Sequence, residues 1–430
     1  MLLIVFLLAA SNWSSSVQAA DPLRLLTFDE AVRIALNENS DIRGIRYQEE
    51  AFSYRASQAL APNNPFFTLS KNDLPGVSFT KGASTIYSLS YTLGFPGKAL
   101  SQSASLRHQG EASREQALGK EIDIITALST TYVSLGANEQ LRKILEDETR
   151  KSKDLLSIVQ RKYASAQVAQ VDLLNAQVVL AKSEHDLLVC VNNQRLLITQ
   201  FLSLVNRPGA KDIAPKIPDD TSIPKLDRSL DELAEIMHRN RPALLALGKQ
   251  VESAQSLSTG ANLSALPDIQ FTGAMNVYHV ATAEPVPGND RDYSLGIGVA
   301  IPLFFPFNEL NTAKAARRDQ LIAEAQVDSS RISALADLET LYTKFESVTA
   351  EADILQNLVI PGSKASYDLT LKTYTLGRVD YLRLNDSRQN WIQAEKDLLQ
   401  KKIDAADSYN KIVQQVGCDF PMERGFHVCK

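Results

Sequence analysis

The sequence predicts a mainly α protein with a small β part, in which one unit is written twice. Three observations predict it. The segment "YASAQVAQVDLLNAQVVLAKSEHDLL" (163–188) returns as "YTLGRVDYLRLNDSRQNWIQAEKDLL" (374–399) with no gap, so that Tyr374 falls on Tyr163, Leu384 on Leu173 and Asp397-Leu398-Leu399 on Asp186-Leu187-Leu188. Proline is absent between Pro96 and Pro208, and only Pro361 interrupts Pro306 to Pro421. Four short segments of alternating character lie outside those stretches. A repeat of this length is too long for a solenoid and points instead to duplication.

The bulk numbers agree with long helices. Of the 430 residues, 44% are apolar, 22% charged and only 7% aromatic, a balance that favours helical rods over a globular α/β enzyme. The net charge of −5 supplies no basic stripe, so no nucleic-acid partner is expected.

Taken in order, "MLLIVFLLAASNWSSSVQAADP" reads as a secretory signal over residues 1–19, although a basic n-region is missing. The apolar run Leu2–Ala10 is too short to span a bilayer, and "VQA" supplies a small-residue cleavage pattern before Ala20. No later segment reaches the roughly 18 apolar residues of a spanning helix. The first repeat is read as 20–227 and the second as 228–417, with a tail over 418–430. Each opens with a capped helix, "LTFDEAVRIALNEN" from Leu26 and "RSLDELAEIMHRN" from Arg228, with Thr27 or Ser229 as N-cap and Glu30 or Glu232 completing the capping box. A proline, Pro65 or Pro267, ends each opening helix.

Apolar residues then recur at three and four through Ile122, Ile125, Leu128, Tyr132 and Leu135, the helical period. A helix over 97–163 would be on the order of 100 Å long. The chain turns near Ala166 and, in the second copy, at Gly377. Glycine is at home in a left-handed turn and alanine less so. A return helix spans about 167–206, the Pro- and Asp-rich "NRPGAKDIAPKIPDDTSIP" reads as a loop, and a further helix covers 229–261.

The four strands are Phe67–Asn72, Tyr87–Leu93, Ile269–Val277 and Tyr293–Ile301. Their alternation places Tyr87, Leu89, Tyr91, Leu93, Leu295, Ile297 and Val299 on one face, and Ser88, Ser90, Thr92, Gln270, Thr272, Asn276 and Ser294 on the other. In a soluble sandwich the apolar face would meet a second layer. In a membrane barrel it would meet lipid, with the small polar face lining the lumen. The signal segment and the scarcity of β structure favour the barrel. Four strands cannot close, and open edges in hydrocarbon cost several kcal/mol per unpaired group. Two copies would give eight strands and a filled interior; three would give twelve and room for a pore, the arrangement expected here.

These capped openings, together with "LGFPGKA", "IPLFFPFNEL" and above all "YTLGRVDYLRLNDSRQNWIQAEKDL", resemble the TolC-type outer-membrane efflux proteins over about residues 24–417. "GFPGKA" is more similar to the heavy-metal-efflux branch. The resemblance implies a homotrimer with a twelve-stranded barrel in the outer membrane of a Gram-negative bacterium. It also implies an α-helical tunnel through the periplasm, with the two echoed segments as paired tips at its mouth. The implied role is the exit duct of a tripartite pump, with heavy-metal cations or small toxic compounds as cargo. The implied partners are a periplasmic adaptor and an inner-membrane pump such as an RND transporter, besides outer-membrane lipid. Family members carry acidic residues six and nine positions after the turn glycine. Here those positions are Arg383 and Asp386 after Gly377, and Asp172 and Asn175 after Ala166. The acidic pattern is half kept, and Arg383 could pair with either aspartate.

No enzyme signature and no cofactor are expected. The five histidines lack zinc-type spacing, and no P-loop or nucleophile elbow is present. Cys418 and Cys429 could bridge across the tail in an oxidising compartment, while Cys190 reads as a small buried residue. A periplasmic adaptor or other coiled-coil scaffold is the competing reading. Adaptors usually have one hairpin, and the duplication speaks against it.

Overall fold

The computed structural model of the protein describes residues 24–72, 84–218, 222–278, 291–301 and 303–417. Residues 1–19 and the Cys418–Cys429 pair lie outside the described residues. The first half runs β1 (Arg24–Leu26), α1 (Phe28–Glu38), α2 (Ser40–Ala59), β2 (Phe66–Asn72), β3 (Ser84–Leu93), α3 (Pro96–Ala164), α4 (Gln170–Leu204) and β4 (Ile213–Pro215). The second runs α5 (Leu230–Asn240), α6 (Pro242–Leu263), β5 (Ile269–Tyr278), β6 (Arg291–Val299), α7 (Glu309–Ile354), a π-turn (Leu355–Val359), α8 (Ile360–Thr375) and α9 (Tyr381–Val416).

Both opening helices are capped as the sequence indicates. The Thr27 and Ser229 amides donate to Glu30 Oε2 at 3.0 Å and Glu232 Oε2 at 3.2 Å, and the hydroxyls accept in return. Neither opening helix is single, however, and the helix expected over 229–261 is corrected to α5 and α6. Pro242 forces Arg241 into an extended conformation (φ −67°, ψ 115°). In the first copy Asn39 makes the same break without proline: its Oδ1 accepts from the amides of Asp41 at 2.9 Å and Ile42 at 3.0 Å, opening α2. Superposing Pro267 on Pro65 places Arg241 on Asn39, so the break sits at one position of the repeat.

Pro361 does not interrupt its helix. Its ring crowds the carbonyl four residues back and its nitrogen donates nothing. The π-turn over Leu355–Val359 absorbs both effects, and the helical path continues from α7 into α8.

The described residues fall in two compact units, one drawn from Met1–Ala35 and Thr131–Asp220, the other from Leu36–Thr130 and Thr221–Lys430. In the first, α1 buries Phe28, Ala31, Val32 and Ala35, and the Phe28 ring lies 5.5 Å from that of Tyr132. The Tyr132 hydroxyl donates to the Lys216 carbonyl. β1 and β4 pair in parallel, Leu25 opposite Ala214, a pairing that corrects the loop expected there. Asn138 Nδ2 joins α3 to α4 through the Cys190 carbonyl at 3.1 Å, and Cys190 is buried as expected.

The second unit holds α2, the sheet, the first part of α3, and α5 to α9. Its core gathers Ile122, Leu128, Leu233, Met237, Leu338, Ile412 and Val416. Gly417 ends α9 with φ +88° and ψ −151°. A Cβ there would lie 2.6 Å from the Asn240 carbonyl oxygen and 2.9 Å from Arg241 Cα. The C-terminus of α9 therefore presses directly on the α5–α6 break. At the foot of the sheet, Asp268 Oδ1 accepts from the Phe95 amide at 3.0 Å and Lys98 Nζ at 2.9 Å, bracing the start of α3 against the start of β5.

Candidate functional site

Two features carry functional information, the sheet and the pair of helical turns. The sheet is antiparallel with order β2-β3-β5-β6, leaving β2 and β6 at its outer edges. Directly opposed residues of antiparallel strands share a face. Register sets Tyr87 opposite Met275, Leu89 opposite Gly273, Tyr91 opposite Phe271 and Leu93 opposite Ile269. On the next pair, Tyr293 opposes Met275, Leu295 opposes Gly273, Ile297 opposes Phe271 and Val299 opposes Ile269. Phe67 and Leu69 extend the same face through Leu89 and Tyr87. Most of the large apolar residues of the four strands thus form one surface. On the opposite surface lie Ser88 with Ala274, Ser90 with Thr272, Thr92 with Gln270, Ile86 with Asn276, and Ser294, Gly296 and Gly298.

The apolar surface is bare. Leu295 is 94% exposed and Ile297 75%, with Leu89, Phe67 and Val299 also exposed. The sandwich arrangement, in which the chain's own helices would cover this face, is not what the chain adopts. β6 spans Arg291–Val299 rather than reaching Ile301.

The two turns share one hydrogen-bond pattern. After α3, the Ala166 amide donates to the Tyr163 carbonyl at 2.9 Å and the Gln167 amide to the Lys162 carbonyl at 2.8 Å. After α8, the Gly377 amide donates to Tyr374 at 3.0 Å and the Arg378 amide to Thr373 at 3.0 Å. Both are Schellman caps, and each donor and acceptor of one falls on its counterpart when Tyr374 is laid on Tyr163. Ala166 (φ 55°) and Gly377 (φ 73°) hold the left-handed position. Ala166 bears the strain that Gly377 avoids, roughly 1–2 kcal/mol. Ala166→Gly is expected to stabilise the α3–α4 turn by about 0.5–1 kcal/mol after the unfolded-state entropy of glycine is subtracted. Hydrogen exchange at the turn amides measures it.

The turns differ beyond that point. α4 starts behind Ala169, which offers no side-chain cap. α9 starts behind Asp380, whose Oδ1 accepts from the Arg383 amide at 3.0 Å. Asp172 occupies the third position of α4 and is half-buried; Asn175 is exposed one turn on. Arg383 holds the matching position of α9, and both it and Asp386 are exposed. Arg383 makes no ion pair with Asp386 among the described residues.

Sequence reasoning missed Asp380 and the layer behind the second turn. Tyr367 and Tyr374 stand seven residues apart on α8, a spacing that keeps both on one face, and Tyr381 opens α9 just past the turn. All three are buried. Tyr367 stacks on Trp391 at 5.5 Å, and Tyr374 meets Tyr381 edge-on at 6.1 Å. Arg388 is also buried, its Nη2 donating to Asn385 Oδ1 at 3.2 Å, and burial pushes its pKa down to about 10.

No described helix is long and apolar enough to cross a membrane. The fold is similar to that of a membrane protein from Pseudomonas aeruginosa (17% identity, TM-score 0.76, covering 91% of this chain and 92% of that one). It is also similar to CusC, solved in a study of folding and transmembrane channel formation (15% identity, TM-score 0.76, covering 94% and 95%). A third similar structure is the outer membrane protein VceC of Vibrio cholerae (14% identity, TM-score 0.73, covering 91% and 96%). No curated protein sequence matches the chain. The model of the outer membrane efflux protein family matches residues 31–203 and 233–417, on both sides of the linker between the two halves. The chain belongs to the outer membrane efflux protein family.

Proposed function

We propose that the chain is the outer-membrane channel of a tripartite efflux pump, a passive exit duct working as a homotrimer. The bare apolar face of the four-stranded sheet is the observation that carries this reading. A surface bearing Leu295, Ile297, Leu89 and Phe67 needs a non-aqueous neighbour, and the outer edges on β2 and β6 need strands. Three copies, each pairing β6 with the next copy's β2, supply the strands and make a twelve-stranded barrel wide enough for a pore. In that barrel Tyr87, Leu89, Tyr91, Leu93, Leu295, Ile297 and Val299 face outer-membrane lipid. Ser88, Ser90, Thr92, Gln270, Thr272, Asn276 and Ser294 line the lumen.

The helices then lie in the periplasm, built as two repeats over 20–227 and 228–417. The matched turns are the tips that dock a periplasmic adaptor and gate the mouth, through Asp172, Asn175, Gly377, Arg383 and Asp386. Like charges crowded at a constriction favour cations and oppose closure. The sequence carries no nucleotide-binding motif, so an inner-membrane pump such as an RND transporter does the work. Heavy-metal cations or small toxic compounds are the cargo. An adaptor would not carry an uncovered apolar sheet.

Conductance of the purified protein in planar bilayers tests both levels. The wild type is expected to give a small, mostly closed conductance. Asp386→Ala or Asp172→Ala, which relieve the repulsion, should lower it several-fold, and Arg383→Ala, which leaves the acids uncompensated, should raise it. Wild-type-like traces from all three variants would remove the gate assignment, and absence of any conductance would remove the channel.

A further inference from the structure

We propose that His108 and Glu111 on α3 and Glu252 on α6 form a binding site for a divalent transition cation of the zinc type, held at present by the competing ammonium of Lys249. The two helices approach closely because their seam is lined with small residues. Ser105 Oγ lies 2.8 Å from Ser253 Oγ, both residues buried, and a Cβ on Gly260 would come within 3.0 Å of Ser101 Cβ. One turn further along α3, His108 and Glu111 project from one face, three positions apart. Glu252, beside Ser253, reaches them from α6.

The spacing is that of ligands around one ion. His108 Nδ1 lies 3.0 Å from Glu252 Oε2 and 3.3 Å from Glu111 Oε2. All three ligand atoms lie within 4.8 Å of one another. Donors on a tetrahedral zinc with bonds of ~2.0–2.1 Å stand ~3.3 Å apart. One imidazole nitrogen with two carboxylates, and a fourth position left to water, suits zinc. Magnesium and calcium call for oxygen alone.

Lys249 marks where positive charge is wanted. Its Nζ stands 3.0 Å from Glu111 Oε2 and 2.9 Å from Glu252 Oε2. A dication brings twice the charge and a bond to the imidazole, which Lys249 cannot make. The lysine side chain is about a third exposed and flexible, so it can swing into water as the ion enters. Sequence spacing alone hides the site, because its third ligand comes from another helix.

Zinc chloride titrated calorimetrically into the full chain purified in detergent tests the site. About one ion per chain is expected to bind. Binding should weaken at least tenfold in His108→Ala and in Glu252→Gln, and tighten about tenfold in Lys249→Met. Magnesium chloride should bind at least a hundredfold more weakly. Far-UV circular dichroism verifies that each variant is folded, and the gain in Lys249→Met cannot arise from misfolding. Wild-type protein that takes up no zinc, zinc uptake indifferent to His108→Ala, or a Lys249→Met variant that binds no tighter overturns the proposal. None of these outcomes depends on channel conductance.

Discussion

Gly417→Ala is expected to destabilise the folded chain by about 4 kcal/mol, more than any other single methyl group added to a described glycine. Two independent costs combine. The backbone at φ +88° and ψ −151° lies in a region that is essentially glycine's alone, at roughly 1–3 kcal/mol for another residue. The new methyl would also meet the Asn240 carbonyl oxygen at 2.6 Å and Arg241 Cα at 2.9 Å. Those are backbone atoms fixed by the α5–α6 break, so neither can rotate aside, and such overpacking costs roughly another 1–3 kcal/mol. Gly377→Ala makes the contrast. Its φ is +73°, but nothing lies within 4 Å of the added methyl, so only the backbone cost of about 1 kcal/mol remains. Denaturant unfolding of both variants should separate them by a factor of three or more in lost stability. Equal losses would mean that Gly417 is not pressed against the break.

The second large effect lies on the sheet. Leu295→Lys combined with Ile297→Lys is expected to abolish assembly in the outer membrane, while Ser294→Lys, one residue away on the other face, leaves it intact. Leu295 is central in β6 and is the most exposed large apolar residue among the described residues. A lysine on the lipid side near the bilayer midplane costs about 2–4 kcal/mol, and two on one strand exceed what a marginally stable sheet can absorb. A lysine at position 294 would project into the lumen, where water solvates it. Heat-modifiable gel migration of membrane fractions reads the result. If the Ser294 and Leu295/Ile297 variants behave alike, the two faces do not differ in environment.

Much of this architecture was legible because the code was local and repeated. The strands announced themselves by alternation, and register then set Tyr91, Phe271 and Ile297 side by side on one face. α3 was legible from the proline-free run after Pro96. Gly377 marked its turn directly, whereas Ala166 could be read only by laying one echo on the other. What escaped the reading depends on partners distant in sequence or on a single side chain. Asn39 breaks a helix through its side-chain cap, which looks no different from a surface asparagine until the φ and ψ of its backbone are known. β1 and β4 are three residues each, too short to alternate, and one contains Pro215. Pro361 read as an interruption because the compensating π-turn lies in its neighbours. The gate reading from Asp172, Arg383 and Asp386 rests on position after the turn, and Asp380, the acid that does engage the helix end, fell outside that pattern.

The claim on which the rest depends is that sister chains complete a sheet unable to close by itself. The mass of the mature protein purified in mild detergent, measured by native mass spectrometry, tests it most directly. Three chains per particle, stable until heated, is the predicted result. A particle of one chain, with the β2 and β6 edges protected from hydrogen exchange, would contradict the account.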